Sequence, residues 1–228
     1  MSHLSIFDIA GPIMVGPSSS HTAGACKIGQ FARALYHKTP KKVTFYLHGS
    51  FGEVFKGHAT DRALLGGVMK FKTSDPEIKD SFEIAKEKGI KYEFIKKNLG
   101  PKWHPNTVKI ILEDGKYKMS VIGSSIGGGM IEILKIDNFN VKIKGRAGRH
   151  LSLVVCYDRI RKILNTVTKT IKNFGINVAE VETVSFRDKT LSVISLEGRR
   201  ILLPEVLGLE KIKGVYFVRA LSKLQKQQ

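Results

Sequence analysis

Beyond residue 150 the apolar pattern changes period in a fixed order, and that order constrains the fold more than any other feature of the chain. Leu151–Tyr157 reads as a strand. Ile160, Ile163, Leu164, Val167, Ile171 and Phe174 then fall on one side of a helix, which Gly175 ends. Strand-like runs follow at Ile176–Phe186 and Leu191–Leu196, with Asp188-Lys189 as the turn between them. A short helix and a strand at Val215–Arg219 complete the set. An amphipathic helix set between strands must bury its apolar face on a sheet, so the βαββαβ order predicts a ferredoxin-like module.

Gly145–His150 (GRAGRH) reads as the linker before that module, which places one domain at 1–145 and a second at 151–228. In the first, Gly11–Gly24 is a loop of small residues leading into a helix, where Ala25, Ile28, Ala32 and Leu35 keep helical spacing up to the Thr39-Pro40 stop. Lys42–His48 alternates as a half-buried strand, Gly49–Gly57 reads as a loop, and a short helix runs from about Thr60 to Val68. Asp75-Pro76 opens another helix, ended by Gly89. Five strand signals then crowd together at Lys91–Ile95, Thr107–Glu113, Tyr117–Ile122, Met130–Ile136 and Val141–Lys144, with Asp114-Gly115 as a hairpin turn. The expectation is an α+β protein whose first sheet is mixed rather than doubly wound.

Composition excludes several function classes. Two cysteines, Cys26 and Cys156, make neither a disulfide framework nor the roughly four-ligand set of an iron–sulfur cluster or structural zinc. Neither a secretory leader nor a run of about 18 apolar residues is present, so the expected compartment is the cytoplasm, without membrane attachment. The formal charge of +18 invites a nucleic-acid reading. Its distribution opposes it: residues 1–150 carry 24 basic and 13 acidic side chains, residues 151–228 carry 14 and 7, and the scattered lysines outnumber arginines 28 to 10. Phosphate clamps and base readout favour clustered arginine with stacking aromatics. A solvated lysine-rich surface fits better than nucleic acid, and an acidic protein partner is a third possibility.

Chemistry concentrates in a few stretches. Ser18, Ser19, Ser20 and Thr22 put four hydroxyls around His21 at a helix start, where a carboxylate could be held with His21 beside it as acid or base. The plainer reading is that Ser20 or Thr22 caps the helix. His58 precedes another helix start, with Thr60 or Asp61 as the cap, and Asp61 could orient the His58 ring. His104 and Asn106, around Pro105, could face a ligand or form a polar turn. Gly123–Gly129 (GSSIGGG) fits an amide nest for an anion or a strand bulge equally well. Zinc-peptidase, thiol-redox, esterase and dinucleotide motifs are absent.

Taken together, Ser5–Gly24 (SIFDIAGPIMVGPSSSHTAG), Gly49-Ser50-Phe51, Lys56–Asp61, His104–Thr107 and Gly127–Gly129 resemble, in order, the motifs of the beta chain of bacterial iron–sulfur L-serine dehydratases. The second half resembles the ACT domain that follows the beta domain in that family. The resemblance implies a two-chain ammonia-lyase converting L-serine to pyruvate and ammonia. It implies a [4Fe–4S] cluster on the alpha chain, acting as Lewis acid on the serine hydroxyl while a base takes the α-proton. The residues themselves set the expected roles: Asp61 close behind His58 makes His58 the proton-transfer residue, and a helix start that disfavours imidazolium makes His21 a neutral hydrogen-bond donor to substrate. Ser18, Ser19, Ser20, Thr22, Thr60, Asp61, His104 and Asn106 would contact substrate, and no metal ligand falls on this chain. A beta-chain homodimer or a heterotetramer is the implied assembly. The ACT-like loop Tyr157-Asp158-Arg159-Ile160-Arg161 lacks the proline and glycine usual at an effector site, so a dimerising or structural role is expected there. The competing reading is a non-catalytic amino-acid sensor, which would need no cysteine-rich partner.

Overall fold

The computed structural model describes residues 14–145, 151–159 and 162–221. Residues 5–13 of the opening motif, linker residues 146–150 and the loop residues Ile160 and Arg161 lie outside the described residues. The chain divides into two compact units, with the main division between Gly145 and Arg146.

In the first unit, a π-helical turn, Ser19–Gly24, runs directly into α1, Ala25–Tyr36, which ends where His37 turns left-handed (φ 68°). After β1 (Lys42–Leu47) come α2 (Ser50–Val54), α3 (Thr60–Val68), a 3-10 turn (Pro76–Asp80) and α4 (Ser81–Glu87). Strands β2 (Lys91–Lys96), β3 (Thr107–Glu113), β4 (Lys118–Gly127), β5 (Met130–Ile136) and β6 (Phe139–Gly145) follow. They form one sheet in the order β2-β1-β3-β4-β5-β6. β1 pairs parallel with β2 and antiparallel with β3, and the β3–β4 and β4–β5 pairs are antiparallel. Period-two alternation sends Val43, Phe45, Leu47, Val108, Ile110, Leu112, Met119 and Val121 into the core. Ile28, Phe31 and Leu35 of α1 and Leu64, Leu65 and Val68 of α3 are buried with them.

Backbone touches backbone where α1 meets α3. A Cβ on Gly29 would stand 2.3 Å from the Leu64 carbonyl oxygen, and one on Gly67 would stand 2.1 Å from that of Cys26. Glycine at both positions is what lets the helices approach so closely.

The second unit comprises β7 (Leu151–Asp158), α5 (Ile163–Asn173), β8 (Asn177–Phe186), β9 (Lys189–Glu197), α6 (Leu203–Glu210) and β10 (Val215–Ala220). The sheet order β10-β7-β9-β8, antiparallel throughout, is that of a ferredoxin-like βαββαβ fold. Val167 and Ile171 of α5 pack on Leu153, Val155, Ile194 and Leu196, and Leu209 of α6 closes the same core. The protein is therefore α+β, with a mixed sheet followed by a ferredoxin-like sheet. No helix among the described residues is long and apolar enough to cross a membrane.

Several local expectations are corrected. The supposed loop 49–57 contains α2. Asp114-Gly115 is not a two-residue turn: Asp114 Oδ1 accepts from the Lys116 and Tyr117 amides, which lengthens the loop to residues 114–117. The β8–β9 turn is Arg187-Asp188, because Phe186 pairs with Lys189 and Arg187 takes the positive φ (56°). β4 continues through Ser124-Ser125 to Gly127, and Gly128-Gly129, both at positive φ, close a tight hairpin to Met130. That region is a bulged hairpin.

Gly29→Ala or Gly67→Ala should therefore destabilise the protein by about 1–3 kcal/mol through overpacking. Gly208→Ala, on α6 with its nearest neighbour 4.0 Å from the added Cβ, should instead stabilise by up to about 1 kcal/mol. Urea unfolding of the three variants checks both signs.

Candidate active site

Ser18, extended at φ −140°, opens the π turn, and its Oγ accepts from the His21 amide N–H at 3.1 Å. Ser18 is thus the cap, where Ser20 or Thr22 was expected. Such wide turns are rare and recur at functional sites. This one lies directly on β4, since a Cβ on Gly24 would fall 2.1 Å from Ser125 Oγ.

The turn fixes His21. Its Nε2 lies 3.0 Å from Ser50 Oγ at the start of α2, and its Nδ1 lies 3.4 Å from Ser18 Oγ. The ring meets Phe51 edge-on with centroids 5.5 Å apart, and the His58 ring is 5.1 Å away. Thr22, wholly buried, donates from Oγ1 to the His58 carbonyl at 3.1 Å, joining the two segments. Burial, and secondly the neighbouring His58, hold the His21 imidazole below its ordinary value of 6.5.

His58 sits just before α3, whose N-cap is Ala59 in a left-handed conformation (φ 54°) with no side-chain cap bond. Neither Thr60 nor Asp61 caps the helix. Asp61 Oδ1 accepts from the Arg62 amide at 2.8 Å and does not hold the His58 ring, whose buried Nδ1 has no partner among the described residues. A carboxylate in the first helical turn finds the adjacent orphan amide before it finds a more distant ring. Burial raises the Asp61 carboxyl above its ordinary value.

Thr60 Oγ1 and Ser125 Oγ are likewise buried and unpartnered. Leaving such an atom unmet costs about 1–3 kcal/mol, so three on the elements around the π turn mark a place where a ligand or water is received. Ser19 and Ser20 are half-buried and make no side-chain hydrogen bond among the described residues. No hydrogen bond or ring contact among the described residues links His104 or Asn106 to the imidazole pair: the exposed His104 ring accepts from the Asn106 amide at 3.1 Å, closing its own turn. The same segment supports the site through its backbone. The Pro105 carbonyl accepts from Phe51 N–H at 3.4 Å, and the Asn106 carbonyl accepts from Ser125 N–H at 2.9 Å. Ser50 and Ser125 were not singled out from the sequence. The Gly49-Ser50-Phe51 motif carried the only signal for Ser50.

The donor set does not suit a metal cluster. No group of three or more His, Cys, Asp or Glu residues among the described residues could hold an ion. Cys26 and Cys156 are both buried, and burial pushes the Cys26 thiol up to about 12, away from the thiolate a metal needs.

The sequence profile described as serine dehydratase beta chain matches residues 5–135. The chain belongs to this family. The L-serine dehydratase beta chain of Peptoniphilus asaccharolyticus is 38% identical over 224 residues, spanning 96% of this chain and 99% of that one. The probable L-serine dehydratase beta chain of Bacillus subtilis (strain 168) is 40% identical over 197 residues, 86% and 88% of the two chains. The serine dehydratase beta-chain profile thus covers every residue of the imidazole site. An ACT domain from a Chlorobium tepidum GTP pyrophosphokinase overlays 32% of this chain and 97% of its own length at 16% identity and a TM-score of 0.29. The ferredoxin-like assignment rests on the strand order described above.

Because His21 stays neutral in the fold where the unfolded chain takes up a proton, its contribution to stability is present above pH 6.5 and declines as pH falls below that value. His21→Gln, which cannot titrate, should show a shallower loss of Tm between pH 7.5 and 5.5 than the parent. Thermal melts across that range test it; parallel curves would disprove the linkage.

Proposed function

We propose that this chain is the substrate-holding subunit of an L-serine ammonia-lyase that works with a partner alpha chain in the cytoplasm. The reaction is elimination of water from L-serine, giving pyruvate and ammonia. The observation that carries the reading is the His21–His58 pair at 5.1 Å, with buried His58 Nδ1, Thr60 Oγ1 and Ser125 Oγ around it unpartnered among the described residues. Membership of the serine dehydratase beta-chain family supports the reaction class.

The roles follow from the two environments. His58 Nδ1 is unengaged and can accept or release a proton, so His58 is assigned proton transfer. His21, bonded toward a serine on each side and disfavoured as imidazolium, is assigned to binding. Ser19 and Ser20 are assigned to the substrate carboxylate. The [4Fe–4S] cluster of the family is assigned to the partner chain, since the two buried thiols here do not suit it. A self-contained sensor would need no second chain, so a requirement for one in serine turnover separates the two readings.

Co-expression with a cysteine-rich partner chain under anaerobic conditions supplies the test. Pyruvate formation from L-serine should require both chains; turnover by this chain alone would overturn the proposal, and serine binding without turnover in any combination would favour the sensor. In the active pair, His58→Ala should lower kcat by about 10²–10⁴-fold. His21→Ala and Ser20→Ala should act mainly on KM, a lost charge-assisted hydrogen bond being worth about 1.5–3 kcal/mol.

A further inference from the structure

We infer that His21 reaches the substrate through Ser50, and that the Ser50 hydroxyl, rather than that of Ser18, donates to the substrate carboxylate. The inference rests on the reading of this site as a serine-binding one and adds a residue to it.

The argument is a count of hydroxyl protons. Ser18 Oγ already accepts the His21 backbone N–H at 3.1 Å. Were His21 Nδ1 protonated, it would donate to the same oxygen at 3.4 Å, and the Ser18 hydroxyl hydrogen would have no acceptor. With Nδ1 bare, Ser18 donates to it, and the hydroxyl hydrogen left over is that of Ser50. Each tautomer leaves one hydroxyl hydrogen over, and what separates them is that Ser18 Oγ already accepts the His21 amide, so donating is the better use of its contact with the ring. That preference assigns the proton to Nε2, which then donates to Ser50 Oγ across the 3.0 Å contact. That bond occupies a lone pair on Ser50 and leaves its hydrogen without an acceptor among the described residues. A half-buried hydroxyl so polarised presents a donor, and an anionic oxygen is the acceptor that suits it best. Ser18, with one bond accepted and one donated, is already committed to the ring.

The backbone holds Ser50 in place independently of the ring. Gly49 takes φ 52° and ψ −130°, and a Cβ there would stand 2.8 Å from the Pro105 carbonyl oxygen. The Phe51 amide donates to that same carbonyl. Ser50 is thus pinned from the β3 side while its oxygen meets His21, which makes His21 a positioning residue for Ser50.

Nitrogen-15 NMR of the full chain with labelled imidazoles, His21 being identified by its loss in His21→Gln, reads the tautomer without any need for activity. At pH 7.5 the parent should show His21 protonated at Nε2 and bare at Nδ1. Ser50→Ala should move both shifts toward a mixed tautomer, and Ser50→Thr should restore them. A parent protonated at Nδ1, or shifts unmoved in Ser50→Ala, would overturn the inference; if Ser50→Ala does not fold, the parent tautomer and Ser50→Thr still decide. In the reconstituted two-chain enzyme, Ser50→Ala should raise KM for L-serine by about ten- to a hundredfold with kcat nearly unchanged, while Ser18→Ala moves KM less. Equal KM in Ser50→Ala and parent would refute the carboxylate contact. If the pair turns over no serine, the functional reading fails, whereas the ring-nitrogen shifts still settle the Ser18–His21–Ser50 arrangement.

Discussion

Two helices pressed together at glycine carry the site. α1 and α3 touch through Gly29 against the Leu64 carbonyl and Gly67 against that of Cys26. α1 is the continuation of the π turn that holds His21, and α3 begins two residues after His58. The separation of the helix axes therefore sets the 5.1 Å between the imidazoles, and the bond from Thr22 to the His58 carbonyl fixes the register. Any side chain at either glycine would act first on stability and then, through the spread of the two helix starts, on the geometry between the rings. The same logic recurs at Gly24, where Ser125 Oγ occupies the space a Cβ would need.

The electrostatics of this centre differ from those of the chain as a whole. The molecule carries a formal +18, yet the site is built from hydroxyls and an imidazole kept neutral by burial and by its neighbour. Two imidazoles at this distance cannot both be charged without repulsion, so the pair separates into one ring bound on both sides and one with an unpartnered nitrogen. Neutral donors in a desolvated place discriminate by geometry, because a hydroxyl rewards only an acceptor at the correct position. The surface lysines act at longer range, drawing in anions without selecting among them.

Where local pattern decided structure, the sequence was readable. The helix Thr60–Val68 and the strands Thr107–Glu113 and Met130–Ile136 stand where periodicity puts them, and the βαββαβ order was evident from alternation and one amphipathic helix. What escaped was set by distant partners. The five-residue α2 exists because Gly49 adopts a conformation open to glycine and because Phe51 finds the Pro105 carbonyl across 54 positions of chain. Asp61 looked like the partner of the His58 ring because three positions separate them, but the adjacent Arg62 amide claims its carboxylate. The triple glycine favoured neither nest nor bulge in isolation; pairing with β5 made it a hairpin. For the candidate site, the hydroxyl cluster and both imidazoles were legible, whereas Ser50 and Ser125 lay inside noted stretches and acquire their roles only through tertiary contact.

On the proposed function, chemistry is divided between two chains for a reason that this one makes visible. A thiol buried and pushed to about 12 serves the core, donating to the Phe71 carbonyl, and would have to be exposed and ionised to bind a metal. Exposing Cys26 would open the contact at Gly67 and with it the spacing of His21 and His58. The close helix packing that aligns the imidazoles is thus incompatible with recruiting its own cysteine as a ligand. On the proposed reading, recognition and proton handling fall to this scaffold, and any metal chemistry falls to another chain. His58 Nδ1, Thr60 Oγ1 and Ser125 Oγ, unpartnered among the described residues, would on that reading form a half-site for a bound amino acid and the partner chain to complete.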